Sequence, residues 1–540
     1  MRTPIAFFCV AFLSLTTWAN LQSQLTAAEL AIRPVTDRPN IVVIVCDDMG
    51  FSDLGCYGGE IQTPNLDALA AGGLRFTDFH NNAKCSETRA SLLTGLWHQQ
   101  SKNLQKPGNV TIAEVLKSSG YSTLMSGKWH LASTPPERGF DKYFGFLSGC
   151  INFFTGEDWQ TAGPWGEGEN LMRLGKEEYK CPEGFYSTDA FTDFAIEFMD
   201  GSAQEEKPFF LYLAHNAPHF PLHALPEDIA KYRGKYDVGW DVIRKRRYAK
   251  LQKLGLIDDS WQLSERDPKV ESWDSLSDEE RQFLIPMMEV YAAMVDRLDQ
   301  NIGRLVDYLD ERGELENTLI LFFSDNGACP YERMRNDSTI PGAAESDIAY
   351  DARWANMCNA PLRLYKQYAH NGGTATPMIA HWPKRIQDGG GLCSFPSHLV
   401  DLMPTLVELA GADYPSEFDG VSIPPMEGIS LVPAFEGQEP AREKPIFWEF
   451  SGNHAVREGN WKLVAERAKP WELYDLSKDR SETVNLVSEH PERVKELAET
   501  YDAWAKRVGG KTHAKCVASK PSKQSQLFDL DQVLLRKNAP

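Results

Sequence analysis

The sequence predicts an α/β protein: a large mixed, mostly parallel sheet flanked by helices, followed by a small C-terminal antiparallel sheet with a helix. Three observations carry this reading. Asn40-Ile-Val-Val-Ile-Val-Cys46 is a short β-branched run between Pro39 and Gly50, the pattern of a strand buried on both faces of a parallel sheet. Thr318-Leu-Ile-Leu-Phe-Phe-Ser324 repeats it. Beyond a boundary within 425–445, where Pro and Gly thicken, four short strand-like runs with polar turns begin at Lys444, His454, Trp461 and Glu472.

The 540 residues suit one large α/β domain, 38–435, plus a smaller α+β domain, 440–508. Hydrophobic content of 42% and charged content of 24% describe a soluble globular protein. The formal net charge of −20 argues against general nucleic-acid binding, which needs a basic face. An anionic substrate would therefore need a local cluster of cations or a metal. Residues 1–19 read as a secretory signal: Arg2, an apolar core from Ile5 to Leu15, and Thr17-Trp-Ala19 as cleavage site, with Thr26-Ala-Ala28 as a later option. Export to a periplasmic or extracellular space is the expectation, with no membrane span in the mature chain. Nine cysteines would remain, scattered and without a CxxC pair. That pattern disfavours structural zinc and leaves room for one or two disulfides that sequence cannot pair.

In order, the first strand ends in Asp47-Asp48, at the carboxyl end where ligands of open α/β sheets collect. Thr63 to Gly72 reads as a helix with Pro64 at its first position. Leu74 to Phe79 is a strand that leads to Cys85, where a helix begins. Arg89 then lies one turn along the same face. Thr111 to Ser119 is a helix, and Tyr121 to Met125 a strand leading into Lys128 and His130, which would point the same way if extended. Residues 140–185 read as a long pocket-shaping loop, Thr188 to Met199 as a helix, and Pro208 to Ala214 as a buried strand leading to His215 and His219. Arg244-Lys-Arg-Arg247 reads as solvated surface. The longest helix spans Leu284 to Asp310. Residues 328–356 read as irregular, Lys366 and His370 lie one helical turn apart or in a tight loop, and Thr376 to Trp382 is a strand. Leu399 to Ala410 and Pro491 to Val508 are helices, and 510–540 is expected to be a flexible tail.

Two parallel strands ending in paired oxygen donors, Asp47-Asp48 and Asp325-Asn326, point to a hard cation. Missing Asp-x-His and His-x-x-His patterns argue against zinc. Cys85-Ser-Glu-Thr-Arg89 followed by Ala-Ser-Leu-Leu-Thr-Gly95 resembles the marker of the sulfatase family, within the alkaline-phosphatase-like superfamily. Asp47-Asp48, Gly127-Lys-Trp-His130, Ala217-Pro-His219, Ser324-Asp-Asn-Gly327 and Lys366 with Gly372-Gly373 are similar to the family's other blocks, in the family's order. The likeness covers roughly residues 38–508.

The resemblance implies a sulfuric-ester hydrolase acting on an aryl or carbohydrate sulfate, possible substrates including sulfated polysaccharides. It implies that a formylglycine-generating enzyme converts Cys85 to formylglycine, whose hydrate attacks sulfur and splits one hard step into two. It implies one Ca2+ held by Asp47, Asp48, Asp325 and Asn326 and contacting the side chain at Cys85. Arg89 and Lys128 would fix the nucleophile and metal shell, and Lys128, Lys366 and His219 would bind sulfate oxygens. His219, with Lys366, would protonate the leaving alcohol, and His130 would take the proton of the second hydroxyl. Two departures stand out. Glu87 occupies the usual proline position, and Asn371 replaces a glutamate often found before the Gly-Gly. Two other readings remain: a phosphoric or phosphonic ester hydrolase of the same superfamily, and an inactive sulfated-glycan binder in which Cys85 stays a thiol.

Overall fold

The structure, a computed structural model, describes residues 38–105, 108–157, 172–203, 207–332 and 340–519. The expected signal at 1–19, the leader after it and the last part of the tail, 520–540, lie outside the described residues.

The main sheet comprises β1 (Asn40–Cys46), β2 (Leu74–His80), β3 (Ser122–Lys128), β4 (Lys142–Phe146), β5 (Met172–Leu174), β6 (Glu177–Glu178), β7 (Phe209–Ala214), β8 (Thr318–Ser324), β9 (Ala375–His381), β10 (Gly391–Cys393) and β11 (Ser397–His398). Its order is β10-β2-β9-β8-β1-β7-β3-β4-β5-β6, with β11 also on β2. β8, β1, β7, β3 and β4 are mutually parallel, and β9 runs against both β8 and β2. Alternate residues of β1 enter opposite cores. Val42, Ile44 and Cys46 join one core with the helix Asp278–Glu311; Ile41, Val43 and Val45 join the other with the helix Leu402–Ala410. Neither face of β1 meets water, which is why its sequence does not alternate.

Strand direction decides what reaches the site. β8, β1, β7 and β3 all end on one edge of the sheet: Ser324 pairs with Cys46, and one residue back Val45, Ala214 and Gly127 stand abreast. β2 runs parallel to them and delivers the chain to the helix Cys85–Thr94 on the same edge. β9 is antiparallel, so its beginning lies there, and the preceding loop brings Lys366.

The small sheet comprises β12 (Ile446–Phe450), β13 (Asn453–Glu458), β14 (Trp461–Ala465) and β15 (Glu472–Asp475), an antiparallel meander closed by the helix Pro491–Val508. It packs into the same body as the large sheet rather than standing apart. Trp448 Nε1 donates to Asn81 O at 2.8 Å, and Arg457 pairs with Asp78 at 2.7 Å.

Several expectations need correction. Within 140–185, β4 extends the parallel sheet beside β3, and β5 and β6 follow; 158–171 is outside the described residues. Part of 328–356 is helical, from Asp351 into Asp351–Cys358. The long helix begins earlier, at Asp278, because Ser277 caps it and Glu280 closes a capping box. Residues 510–519, expected as part of a flexible tail, include the helix His513–Val517, whose Cys516 is buried. Arg244 and Arg247 are buried rather than solvated: Arg247 pairs with Asp53 at 2.6 Å and Glu60 at 2.7 Å. Tyr291 closes this network, donating to Asp53 Oδ2 at 2.7 Å, so it braces the loop that follows β1. No disulfide joins any of the nine described cysteines.

Burial, the largest cause, pushes His80 and His223 down to about 4 and His454 down to about 3. Such a ring binds fewer protons folded than unfolded. Its stabilisation is therefore complete above the unfolded value, near 6.5, and is lost as pH falls toward the folded value. Within that window each ring contributes up to roughly 1.4 kcal/mol per pH unit. The thermal midpoint should fall steadily from about pH 7 to about pH 4.5, and H454Q should show a shallower slope. Differential scanning calorimetry across that range checks both, and a flat profile for the parent chain contradicts neutral burial of these rings.

Candidate functional site

Backbone bonds join the segments that leave the sheet edge. Asp47 N donates to Ala217 O at 3.1 Å, Asp325 N to Cys46 O at 3.0 Å, and Lys366 N to Ala328 O at 3.1 Å. Gln367 N donates to Ala83 O at 2.7 Å, bringing the Lys366 loop beside the start of the Cys85 helix. Gly327 and Gly372 touch so closely that a Cβ on Gly327 would lie 1.9 Å from Gly372 O. That contact requires glycine in the Ser-Asp-Asn-Gly block.

Nine of the ten predicted residues are buried in one cluster. Three carboxylates each face a cation. Lys128 Nζ lies 2.5 Å from Asp47 Oδ2, Arg89 Nη2 lies 2.8 Å from Asp325 Oδ2, and Lys366 Nζ bonds Asp48 Oδ1. Asn326 Nδ2 donates to Asp48 Oδ1 at 2.6 Å and to Gly327 O at 2.9 Å, which orients its amide. Asp48 itself sits at φ 70°, in the left-handed region that asparagine and aspartate tolerate best. Cys85 Sγ groups with carboxylate oxygens of Asp47 and Asp325 within 4.8 Å, and a His219 ring nitrogen does so with Asp47 and Asp48. His219 Nδ1 meets Phe220 O at 2.6 Å, which places its proton there and leaves Nε2, 3.5 Å from Asp48 Oδ2, toward the cluster.

His130 is the tenth residue and differs from expectation. β3 ends at Lys128, and His130 has φ 57°, so the two do not share an extended segment. The ring is half-buried with its Nδ1 buried and unbonded. His215, the weaker histidine on sequence grounds, lies beside Phe191 with both ring nitrogens unbonded and makes no bond to the cluster. Of the two arrangements open for Lys366 and His370, the loop is observed: His370 caps the short helix Asn371–Thr374 and points to Glu472 at 3.1 Å, away from Lys366's partner.

Electrostatics set the protonation states. Burial raises Asp47 and Asp48, but the surrounding cations, Lys128 first for Asp47 and Lys366 first for Asp48, hold both below the usual carboxylate range. Asp325 goes the other way: burial and then Asp47 push it well above that range despite Arg89. Burial drives His219 down to about 3 and His130 well below its ordinary value, the latter helped by Lys128, Lys84 and Arg89.

The fit to a hard cation rests on which atoms have no partner. Asp47 Oδ1, Asp48 Oδ2, Asp325 Oδ1 and Asn326 Oδ1 are all buried and accept no hydrogen bond. One oxygen is orphaned on each of the four residues that the two strand ends supply. Buried unsatisfied oxygens are costly, and four on adjacent strands suit an oxygen-seeking divalent ion such as Ca2+ or Mg2+.

Sequence reasoning missed Tyr331, Lys84 and Tyr212. Tyr331 is buried with its ring beside Lys366 at 5.3 Å, and Tyr212 Oη lies 3.4 Å from Arg89 Nη1. Tyr212 was hidden inside an apolar strand. Tyr331 falls in a stretch without period, and Lys84 was visible only as the neighbour of Cys85.

The family model "Sulfatase" matches residues 39–412, and "N-sulphoglucosamine sulphohydrolase, C-terminal" matches 363–502. An uncharacterized sulfatase of Schizosaccharomyces pombe is 36% identical over 523 residues, covering 87% of this chain and 94% of that one. Arylsulfatase of Klebsiella aerogenes is 34% identical over 432 residues, covering 73% and 91%. A solved structure with its substrate, D-glucosamine-2-N,6-O-disulfate, aligns with TM-score 0.59 and 25% identity over 87% of this chain and 98% of that one. Motif blocks in order, a matching fold and similarity over most of the chain converge: the chain belongs to the sulfatase family, enzymes that hydrolyse sulfuric esters.

Proposed function

We propose that this sulfatase is an exported, formylglycine-dependent enzyme that removes sulfate from an aryl or carbohydrate sulfate with one bound Ca2+. The observation that carries the reading is the set of four orphaned oxygens beside Cys85 and three buried cations. Cys85, once converted by a formylglycine-generating enzyme, supplies the attacking hydroxyl. Ca2+ held by Asp47, Asp48, Asp325 and Asn326 supplies Lewis-acid polarisation and neutralises sulfate oxygens.

The remaining work falls to this chain's own side chains. Lys128 and Lys366 hold sulfate oxygens, in an acidic protein that offers anions little attraction elsewhere. Arg89 is anchored through Asp325 and through Lys128 O at 2.7 Å, so it steadies both the metal shell and the nucleophile. His130, neutral because burial and three cations disfavour its charge, accepts a hydroxyl proton at Nδ1. His219 Nε2 hands a proton to the leaving oxygen. An incoming sulfate adds negative charge beside the ring and favours its protonated form.

Three outcomes are expected. Protein from the native host should hydrolyse aryl sulfate faster than aryl phosphate, with a peptide mass at Cys85 matching thiol-to-aldehyde exchange. Turnover of phosphate alone would favour the phosphoric-ester reading; an intact thiol in every copy, with retained binding of sulfated glycans, would favour the inactive binder. H219A should lower kcat by about 10²–10⁴ on an alkyl or sugar sulfate and much less on nitrophenyl sulfate, whose leaving group needs no proton. Chelation should abolish activity and lower the thermal midpoint, and Ca2+ should restore both in the parent chain but neither in D47N or D325N. A parent chain indifferent to chelation would sink the metal assignment.

A further inference from the structure

The cations of the cluster can be matched to partners one by one. Lys128 faces Asp47, Lys366 faces Asp48 and Arg89 faces Asp325. Lys84 is left over. Its backbone carbonyl accepts from Thr88 N at 2.9 Å, but its ammonium forms no salt bridge or hydrogen bond with any described residue and lies 5.8 Å over the Tyr331 ring. Glu87, the nearest acidic residue in sequence, accepts instead from Ser86 Oγ at 2.6 Å.

The position of Lys84 is as specific as its lack of a partner. It caps the helix that starts at Cys85, with extended backbone at φ −154° and ψ 137°, so it precedes the nucleophile directly. Lys366 lies 5.3 Å over the same Tyr331 ring. Gln367 donates to Tyr331 Oη, and Gln367 N bonds Ala83 O at 2.7 Å, so ring and helix start are tied together. Two ammonium groups therefore share one aromatic wall. One is held by a metal-site carboxylate; the other keeps three donors open. A half-buried ammonium with open donors is poorly solvated and gains most from an anionic acceptor. The cation–π contact offsets only part of that, about 0.5–2 kcal/mol.

We propose that Lys84, backed by Tyr331, binds a second anionic group on the substrate, a carboxylate or second sulfate carried next to the scissile sulfate. The inference rests on the proposed function in one respect: the scissile sulfate occupies the centre at Asp48 and Lys366. It goes further by assigning the substrate class, a sulfated sugar with a neighbouring anion rather than a simple aryl sulfate. Lys84 does not touch the reacting atoms; it selects and seats what carries them.

The test compares two sugars that differ only in a second sulfate, for example glucosamine 6-sulfate and glucosamine 2-N,6-O-disulfate, with a uronic-acid-linked 6-sulfate as the carboxylate arm. The parent chain should prefer whichever dianion fits. K84A should lose about tenfold more in kcat/KM on that sugar than on the monosulfate, with the extra loss mainly in KM, and K84R should retain most of the preference. The fraction of converted Cys85, read by mass in each variant, corrects for any effect on maturation. An equal loss on mono- and dianionic sugars places Lys84 at the scissile sulfate and overturns the proposal, as does no loss on any. Titration calorimetry of C85A and C85A/K84A with the same sugars reads the same difference in affinity without turnover. If the parent chain hydrolyses no sulfate ester yet calorimetry shows the selective loss, the proposed function fails and this inference stands.

Discussion

The arrangement depends on charge balance in a buried space. Asp47, Asp48 and Asp325 sit at the ends of neighbouring parallel strands, shielded from water and within reach of one another. Three carboxylates cannot all ionise there unless cations approach from other segments. Arg89 comes from the helix after β2, Lys128 from the end of β3, and Lys366 from the loop before β9. Removing one partner of a buried pair costs about 3–5 kcal/mol, because the other charge is stranded. Even with three cations present, Asp325 is pushed well above the carboxylate range, by burial and then by Asp47. The cluster is short of positive charge, and its four unbonded oxygens lie where a divalent ion would correct the deficit.

Lys366 is the cation with the least support from the main sheet, and the small C-terminal sheet compensates. Its loop is tied at several points. Lys462 Nζ donates to Asn371 Oδ1 at 2.7 Å and pairs with Glu482 at 2.7 Å, while Glu482 Oε2 accepts from Asn371 N at 2.7 Å. Asn453 Nδ2 donates to Gln367 O at 2.9 Å, next to Lys366. This explains Asn371 physically. Glu482 already supplies the carboxylate that buried Lys462 needs, so a glutamate at 371 would set two carboxylates on one buried ammonium. The neutral amide accepts from Lys462 and donates to Arg480 O at 2.8 Å without adding charge.

Much of the scaffold was legible because periodicity reports burial. The strands at 40, 74, 318 and 375 and the helices at 64, 85, 112, 402 and 491 lie where apolar spacing and caps put them. So were the residues that end parallel strands, since strand direction fixes their edge. What sequence could not give was pairing. Arg247 looked like surface in a basic run, but every fourth residue of its helix returns to the core, where Asp53 and Glu60 await it. β4 was missed because two of its five residues are Lys142 and Gly145, too few apolar positions to stand out. Lys84 illustrates the same limit: its meaning lies in which carboxylates are already taken.

Glu87 shows where local physics and chemical role separate. It stands in the first turn of the helix Cys85–Thr94, where free N–H groups and the dipole favour a carboxylate, and where proline is equally compatible. Its backbone is engaged, since Asn82 Nδ2 donates to Glu87 O at 3.0 Å. Its side chain is half-exposed and bonded to Ser86 rather than to any cation of the cluster. Folding of the helix, burial of Cys85 and Arg89, and the ion pairs behind them therefore do not require proline at 87.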